Sequence, residues 1–298
     1  MYIGEDYKKF LAAGKNRRDF IIEWLGFRGV KAVVMPMDGH EHIYVVFPKE
    51  AYNPLFKIKT VIAHYDIFEG SPGANDNSSS VFALMNWAVR LNESGRSHNV
   101  RLIFTDGEEI AGGLDAASGV SAQGAFALAS VFRRLNILSD DVFVFDCMGR
   151  GTVPVLSKTA FSGKISAKFS KDFSSLVEKT QDILFSACSG RFVTLPVSYS
   201  DNAGFLACGI AAVCITMLPQ EEAERYMFFL SRYPDFEDFV LNHQVAPGAD
   251  KQDLEEMLPE TWKKLHTEKD SIDSLDEESF LLCEKIFEKL AALKTPAL

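Results

Sequence analysis

The sequence predicts an α/β fold, a mostly parallel, mixed sheet with helices on both faces. Short apolar, β-rich runs at residues 58–63, 100–104, 142–145 and 211–216 alternate with longer stretches of helical periodicity, the order of a chain that crosses repeatedly over one sheet. The runs are largely apolar without strict alternation, the pattern of strands buried on both faces. Several end abruptly in histidine or carboxylates: Thr60-Val61-Ile62-Ala63-His64-Tyr65-Asp66, Phe104-Thr105-Asp106-Gly107-Glu108-Glu109, and the run that closes at Asp146. Open α/β sheets build their sites in the loops beyond the carboxyl ends of strands. This layout therefore predicts a metal site at one sheet edge.

Taken in order, residues 6–25 set Phe10, Leu11, Phe20, Ile21 and Leu25 among basic residues, an amphipathic helix interrupted near Gly14. Strands at 31–35 and 42–47 flank Asp38-Gly39, a hairpin turn pair. His40 and His42 follow that turn; a His-x-His pair can bind metal, but without further ligands nearby it reads as a solvated strand end. After the strand at 58–63, Gly73-Ala74-Asn75-Asp76-Asn77 leads into a helix over 78–91 with Val81, Leu84, Met85, Ala88 and Val89 inward. The strand at 100–104 precedes a glycine-rich stretch, 112–119, and a helix over 123–135, and the strand at 142–145 ends in Asp146. The second half continues with a strand at 153–156, a helix over 167–185, a strand at 192–195, a short helix from Asn202 and a strand at 211–216. Residues 219–265 turn acidic, aromatic and helical, an excursion bordering the site that returns the chain to His266. The last helix, 276–293, carries acids in its first turn, where they complement the helix dipole, and sets Phe280, Ile286, Phe287 and Leu290 toward the core.

No Pro/Ser tract or repeat divides the 298 residues, so a single domain over 1–298 is expected. The formal net charge of −10, without basic clusters among aromatics, argues against a nucleic-acid partner. No apolar run approaches the roughly 20 residues that span a bilayer, and residues 1–6 lack a secretory pattern. These features predict a cytoplasmic enzyme with no membrane partner. Cys147, Cys188, Cys208, Cys214 and Cys283 are odd in number, widely spaced and set among apolar neighbours, the usage of buried reduced thiols.

Two metal ions held close together need a bridging carboxylate, terminal histidines or carboxylates, and an open direction for water and substrate. The chain offers such a set: His64 with Asp146, or His266 with Glu109, as terminal ligands, and Asp76 as the bridge. Asp66, two residues beyond His64, is suited to orient that imidazole. Glu108 is left over, and a carboxylate beside metals but not bound to them is what a general base for a metal-activated water requires.

These motifs resemble those of the co-catalytic zinc aminopeptidases of the bacterial leucyl aminopeptidase and aminopeptidase S type, whose wider family includes glutamate carboxypeptidases and glutaminyl cyclases. The resemblance runs from about Thr60 to Asp273, and Leu265-His266-Thr267-Glu268-Lys269-Asp270-Ser271-Ile272-Asp273 is a specific part of it. It implies the zinc-dependent exopeptidase fold, one zinc on His64, Asp76 and Asp146, the other on Asp76, Glu109 and His266, Glu108 as base, and a cis peptide after Asp76. Cobalt or manganese could replace zinc on such ligands. The chain departs from the pattern at Ser78-Ser79-Ser80, where relatives have glycine beside the serine, and at Leu265, where several have a tyrosine that assists the tetrahedral intermediate. Tyr199 could substitute for that tyrosine or serve as a structural residue.

The resemblance therefore implies a dinuclear zinc exopeptidase, foremost an aminopeptidase acting on peptide or aminoacyl substrates. A single-zinc glutaminyl cyclase-like aminoacyltransferase would need only Asp76, Glu109 and His266. A carboxypeptidase would need a cation for the substrate carboxylate, for which Arg150 and Arg191 are candidates. A non-catalytic binding protein would have no chemical use for the full ligand set.

Overall fold

Along the central strands, neighbouring side chains go to opposite faces of the sheet, and both faces are apolar. The computed structural model describes residues 2–109, 119–159, 161, 165–242 and 244–297. Its elements, in chain order, are α1 (Glu5–Ala12), α2 (Arg17–Phe27), β1 (Lys31–Met37), β2 (His40–Val46), β3 (Lys59–His64), α3 (Ser80–Ser94), β4 (Val100–Thr105), α4 (Gly124–Arg134), β5 (Asp141–Phe145), β6 (Val153–Lys158), α5 (Ala167–Cys188), β7 (Val193–Pro196), α6 (Asn202–Ala207), β8 (Ala212–Leu218), α7 (Gln220–Arg232), α8 (Asp235–Asn242), α9 (Lys251–Met257), α10 (Glu260–Lys264) and α11 (Glu277–Ala292). The glycine-rich expectation at 112–119 lies, but for Gly119, outside the described residues.

The eight strands form one sheet in the order β1-β2-β4-β3-β5-β8-β6-β7. The central block β4-β3-β5-β8 is parallel, and so is β6 with β7. Antiparallel pairing joins β1 to β2, β2 to β4, and β6 to β8. Strands β3 and β8 are buried along their whole length, which accounts for the apolar run Val61-Ile62-Ala63 in the one and the nearly continuous apolar sequence of the other, broken only by Thr216.

Val61, Ala63, Leu102, Phe104, Phe143 and Phe145 face a core closed by α1, α2, α3, α5 and α11. The alternate residues Ile62, Ile103, Val142 and Val144 face Ala125, Leu128 and Phe132 of α4 and Phe205 of α6. Beyond β6 and β7, Tyr226, Phe236, Phe239 and Leu254 of the helical excursion close a third cluster on Val155 and Leu195. The Tyr226 hydroxyl, buried there, donates to the Pro196 carbonyl at 2.8 Å. All five cysteines are buried and unpaired. Among the described residues no helix is long and apolar enough to cross a membrane.

Because β3, β4 and β5 run parallel, their carboxyl ends open on the same edge. His64 is the last residue of β3, Glu108 and Glu109 follow β4, and Asp146 follows β5. The loop bearing Asp76 enters from the amino end of α3, and His266 follows α10.

Candidate metal-dependent active site

Asp76 is buried at the centre of the site, in the irregular turn Ala74–Ser79 that opens α3. The bond from Asp76 to Asn77 is a cis peptide, as the resemblance implied. Three consecutive backbone donors of the loop are satisfied by one residue. Asp270 takes the N–H of Asn75 on Oδ1 at 2.8 Å and that of Asp76 on Oδ2 at 3.0 Å, and its carbonyl takes the N–H of Ala74 at 3.0 Å. Burial pushes the Asp270 carboxyl up to about 6, although the two N–H bonds to its carboxylate act the other way.

Asp76 divides its oxygens between the two histidines. Oδ1 lies 3.1 Å from His64 Nε2, and Oδ2 lies 3.3 Å from His266 Nε2. His64 Nε2 is also 3.6 Å from Asp146 Oδ1, and His266 Nε2 is 3.0 Å from Glu109 Oε2. Two groups with metal-ligand spacing result, His64–Asp76–Asp146 and Asp76–Glu109–His266, each with its ligand atoms within 4.8 Å of one another. A third grouping, His64–Glu108–Glu109, overlaps them. The structure thus brings together all five residues singled out as ligands, with Glu108 beside them.

The donor chemistry fits a cation. Both ring nitrogens of His64 and Oε1 of Glu109 are buried without a hydrogen-bond partner. Buried polar atoms ordinarily have one, and imidazole nitrogen with carboxylate oxygen is the donor set zinc takes. Like charges crowd the same place. Burial, reinforced by Asp146, Glu109 and Asp201, holds the Glu108 carboxyl well above the usual carboxylate range, although His64 acts the other way. The adjacent carboxyls would repel one another without positive charge between them.

Asp66 ties two strand ends together. Its Oδ1 lies 3.4 Å from His64 Nδ1 and accepts the Glu108 N–H at 3.3 Å, while Oδ2 accepts the Glu109 N–H at 2.9 Å. His266 has a φ of 60° and stacks on Phe68, ring centroids 4.5 Å apart and planes 11° from parallel. Phe68 also lines a cleft of about 840 Å³ beside Glu109, whose walls include Gly14, Asn16, Arg18, Glu41 and Asp106.

Sequence reasoning missed Asp201. It is fully buried, accepts the Thr105 hydroxyl, and is pushed up to about 7 by burial. Its only signal was its place beside Tyr199-Ser200; Tyr199 itself is half-buried. His42 corrects the expectation of a solvated strand end: it is buried, and Nδ1 accepts the Asp106 N–H at 3.2 Å. The cause is sheet order, since β2 lies between β1 and β4 and is not an edge. Arg150 is already engaged, donating to the Thr261 hydroxyl, the Ser274 carbonyl and Glu222. Arg191 is exposed ahead of β7.

Residues 47–291 match the model of peptidase family M28. The chain belongs to that family. Membership places it among metal-dependent peptidases. Solved structures resemble it in fold. The LapA aminopeptidase of Legionella pneumophila is 15% identical with a TM-score of 0.63, over 97% of this chain and 70% of its own. A Zn-dependent exopeptidase from Parabacteroides distasonis is 14% identical with a TM-score of 0.62, over 96% and 94%. An Acidobacteriales glutaminyl cyclase is 14% identical with a TM-score of 0.61, over 96% and 91%. No curated protein matches the sequence significantly.

Proposed function

We propose that this M28 chain is a dinuclear zinc aminopeptidase with Glu108 as general base. The observation that carries the reading is the division of the Asp76 carboxylate between His64 and His266. Each half is completed by one further carboxylate, Asp146 on one side and Glu109 on the other. His64, Asp76 and Asp146 would hold one ion, and Asp76, Glu109 and His266 the other.

Zinc bound there would polarise the scissile carbonyl and bring the pKa of a water toward about 7. Glu108, whose proton affinity is raised by burial first and by its carboxylate neighbours besides, takes the proton of the attacking water on its carboxylate and passes it to the leaving amine nitrogen. Asp66 holds Glu108 and Glu109 by their backbone N–H groups and so fixes base and ligand relative to each other. Phe68 limits rotation of the His266 ring by stacking on it. Arg150, one of the two candidates for binding a substrate carboxylate, is engaged elsewhere, which favours an aminopeptidase over a carboxypeptidase.

A second reading is a single-zinc glutaminyl cyclase, because Asp76, Glu109 and His266 form a complete ligand group by themselves. Assays of zinc-loaded protein on aminoacyl-p-nitroanilides and on N-terminal glutaminyl peptides separate the two. Release of p-nitroaniline supports the aminopeptidase. Cyclisation without hydrolysis overturns it in favour of the cyclase.

A further inference from the structure

We infer that Arg17 and Tyr7, on the two N-terminal helices, are positioning residues that hold the Asp76 loop in register with the strand end bearing His64. The inference rests on the metal centre proposed above.

Arg17 opens α2 and is only 1% exposed. Its Nη2 donates to the Pro72 carbonyl at 3.0 Å and the Gly73 carbonyl at 3.4 Å, both just ahead of Asp76. Its Nη1 donates at 3.4 Å to the carbonyl of Tyr65, the residue between His64 and Asp66. One guanidinium therefore spans the two segments that carry His64 and Asp76. The Tyr7 hydroxyl of α1 adds a 2.6 Å bond to the Ala74 carbonyl. The loop is thus gripped by its carbonyls from the N-terminal helices and by its N–H groups from Asp270. Both Arg17 and Tyr7 precede residue 47, where the family match begins.

Placing a guanidinium in the interior is costly unless its donors are satisfied and charge is near. Three carbonyls pair Nη1 and Nη2, leaving Nε without a partner, and the carboxylates of Asp66, Asp76 and Asp270 supply the charge; Arg17, lowered to about 10 by burial, stays charged at neutral pH. The planar fork suits a residue that must reach two segments at once.

The sign of the effect makes the inference testable. A cation beside a metal site opposes binding of another cation, so by charge alone removing Arg17 would tighten zinc. Loss of a brace would weaken it. Zinc affinity is to be measured by competition with a chromophoric chelator for wild type, Arg17→Met, Arg17→Lys and Tyr7→Phe, with circular dichroism reporting folding. The expected result is a weakening of about 10–100-fold in Arg17→Met, the range for residues that orient ligands, with partial recovery in Arg17→Lys and a smaller loss in Tyr7→Phe. A folded Arg17→Met that binds zinc as tightly as wild type, or more tightly, overturns the inference. Should Arg17→Met fail to fold, unchanged zinc affinity in both Arg17→Lys and Tyr7→Phe overturns it equally. Wild-type protein that binds no zinc instead defeats the metal centre, and the inference with it.

Discussion

The Asp66 carboxylate accepts the backbone N–H of Glu109 at 2.9 Å, and its other oxygen stands 3.4 Å from His64 Nδ1. The end of β3 is thereby tied to the segment after β4 through one side chain, so imidazole orientation and glutamate placement depend on the same group. Asp66→Ala is predicted to weaken zinc binding about 10–100-fold and to lower turnover at subsaturating metal. Asp66→Asn, which keeps one acceptor oxygen, should fall between. Zinc titration of the two variants against wild type checks the order.

Glu108 belongs to neither of the two terminal ligand groups built on Asp76. Glu108→Gln keeps its size and removes its basicity. Turnover is predicted to fall by about 10²–10⁴ with zinc content unchanged. Loss of metal in step with activity would make Glu108 a ligand instead.

His42 and His98 are buried, and burial lowers each from 6.5 to about 4. The folded values lie below the unfolded one, so as pH falls the unfolded chain takes up protons first. The stability held by neutral histidines is complete above pH 6.5 and is lost as pH falls toward 4, roughly 3 kcal/mol for each. Urea denaturation across that window should give a shallower pH dependence for His98→Gln than for wild type.

Gly204 of α6 lies against the backbone of α4, where an added Cβ would stand 2.4 Å from the Phe126 nitrogen and 2.7 Å from the Ala125 carbonyl carbon. Backbone cannot rotate away as a side chain can. Gly204→Ala is predicted to cost about 1–3 kcal/mol by overpacking, read as a lowered melting temperature.

The parallel strands were legible because a strand buried on both faces is largely apolar, and His64, Glu108, Glu109 and Asp146 stand at or just beyond the ends of such runs. His266 lies on no strand, so no strand end marked it, and the resemblance around it is what gave it a specific place. The antiparallel pairings of β2 with β4 and of β6 with β8 were not legible, since strand order follows from long-range packing. Arg17 was hidden for a related reason. In sequence it stands beside Lys15 and Arg18, where a charge run reads as a solvated face; only the fold turns it inward onto the loops it holds. Asp270 and Asp201 likewise acquire their roles from the backbone and hydroxyl groups brought to them.

The central claim, two ions sharing Asp76, is tested most directly by zinc stoichiometry. Metal-free protein titrated with zinc under calorimetry, together with Asp76→Ala, is predicted to bind two ions per chain in wild type and to lose both high-affinity events in the variant. One ion per wild-type chain, or a variant that still binds two tightly, would contradict the shared bridge.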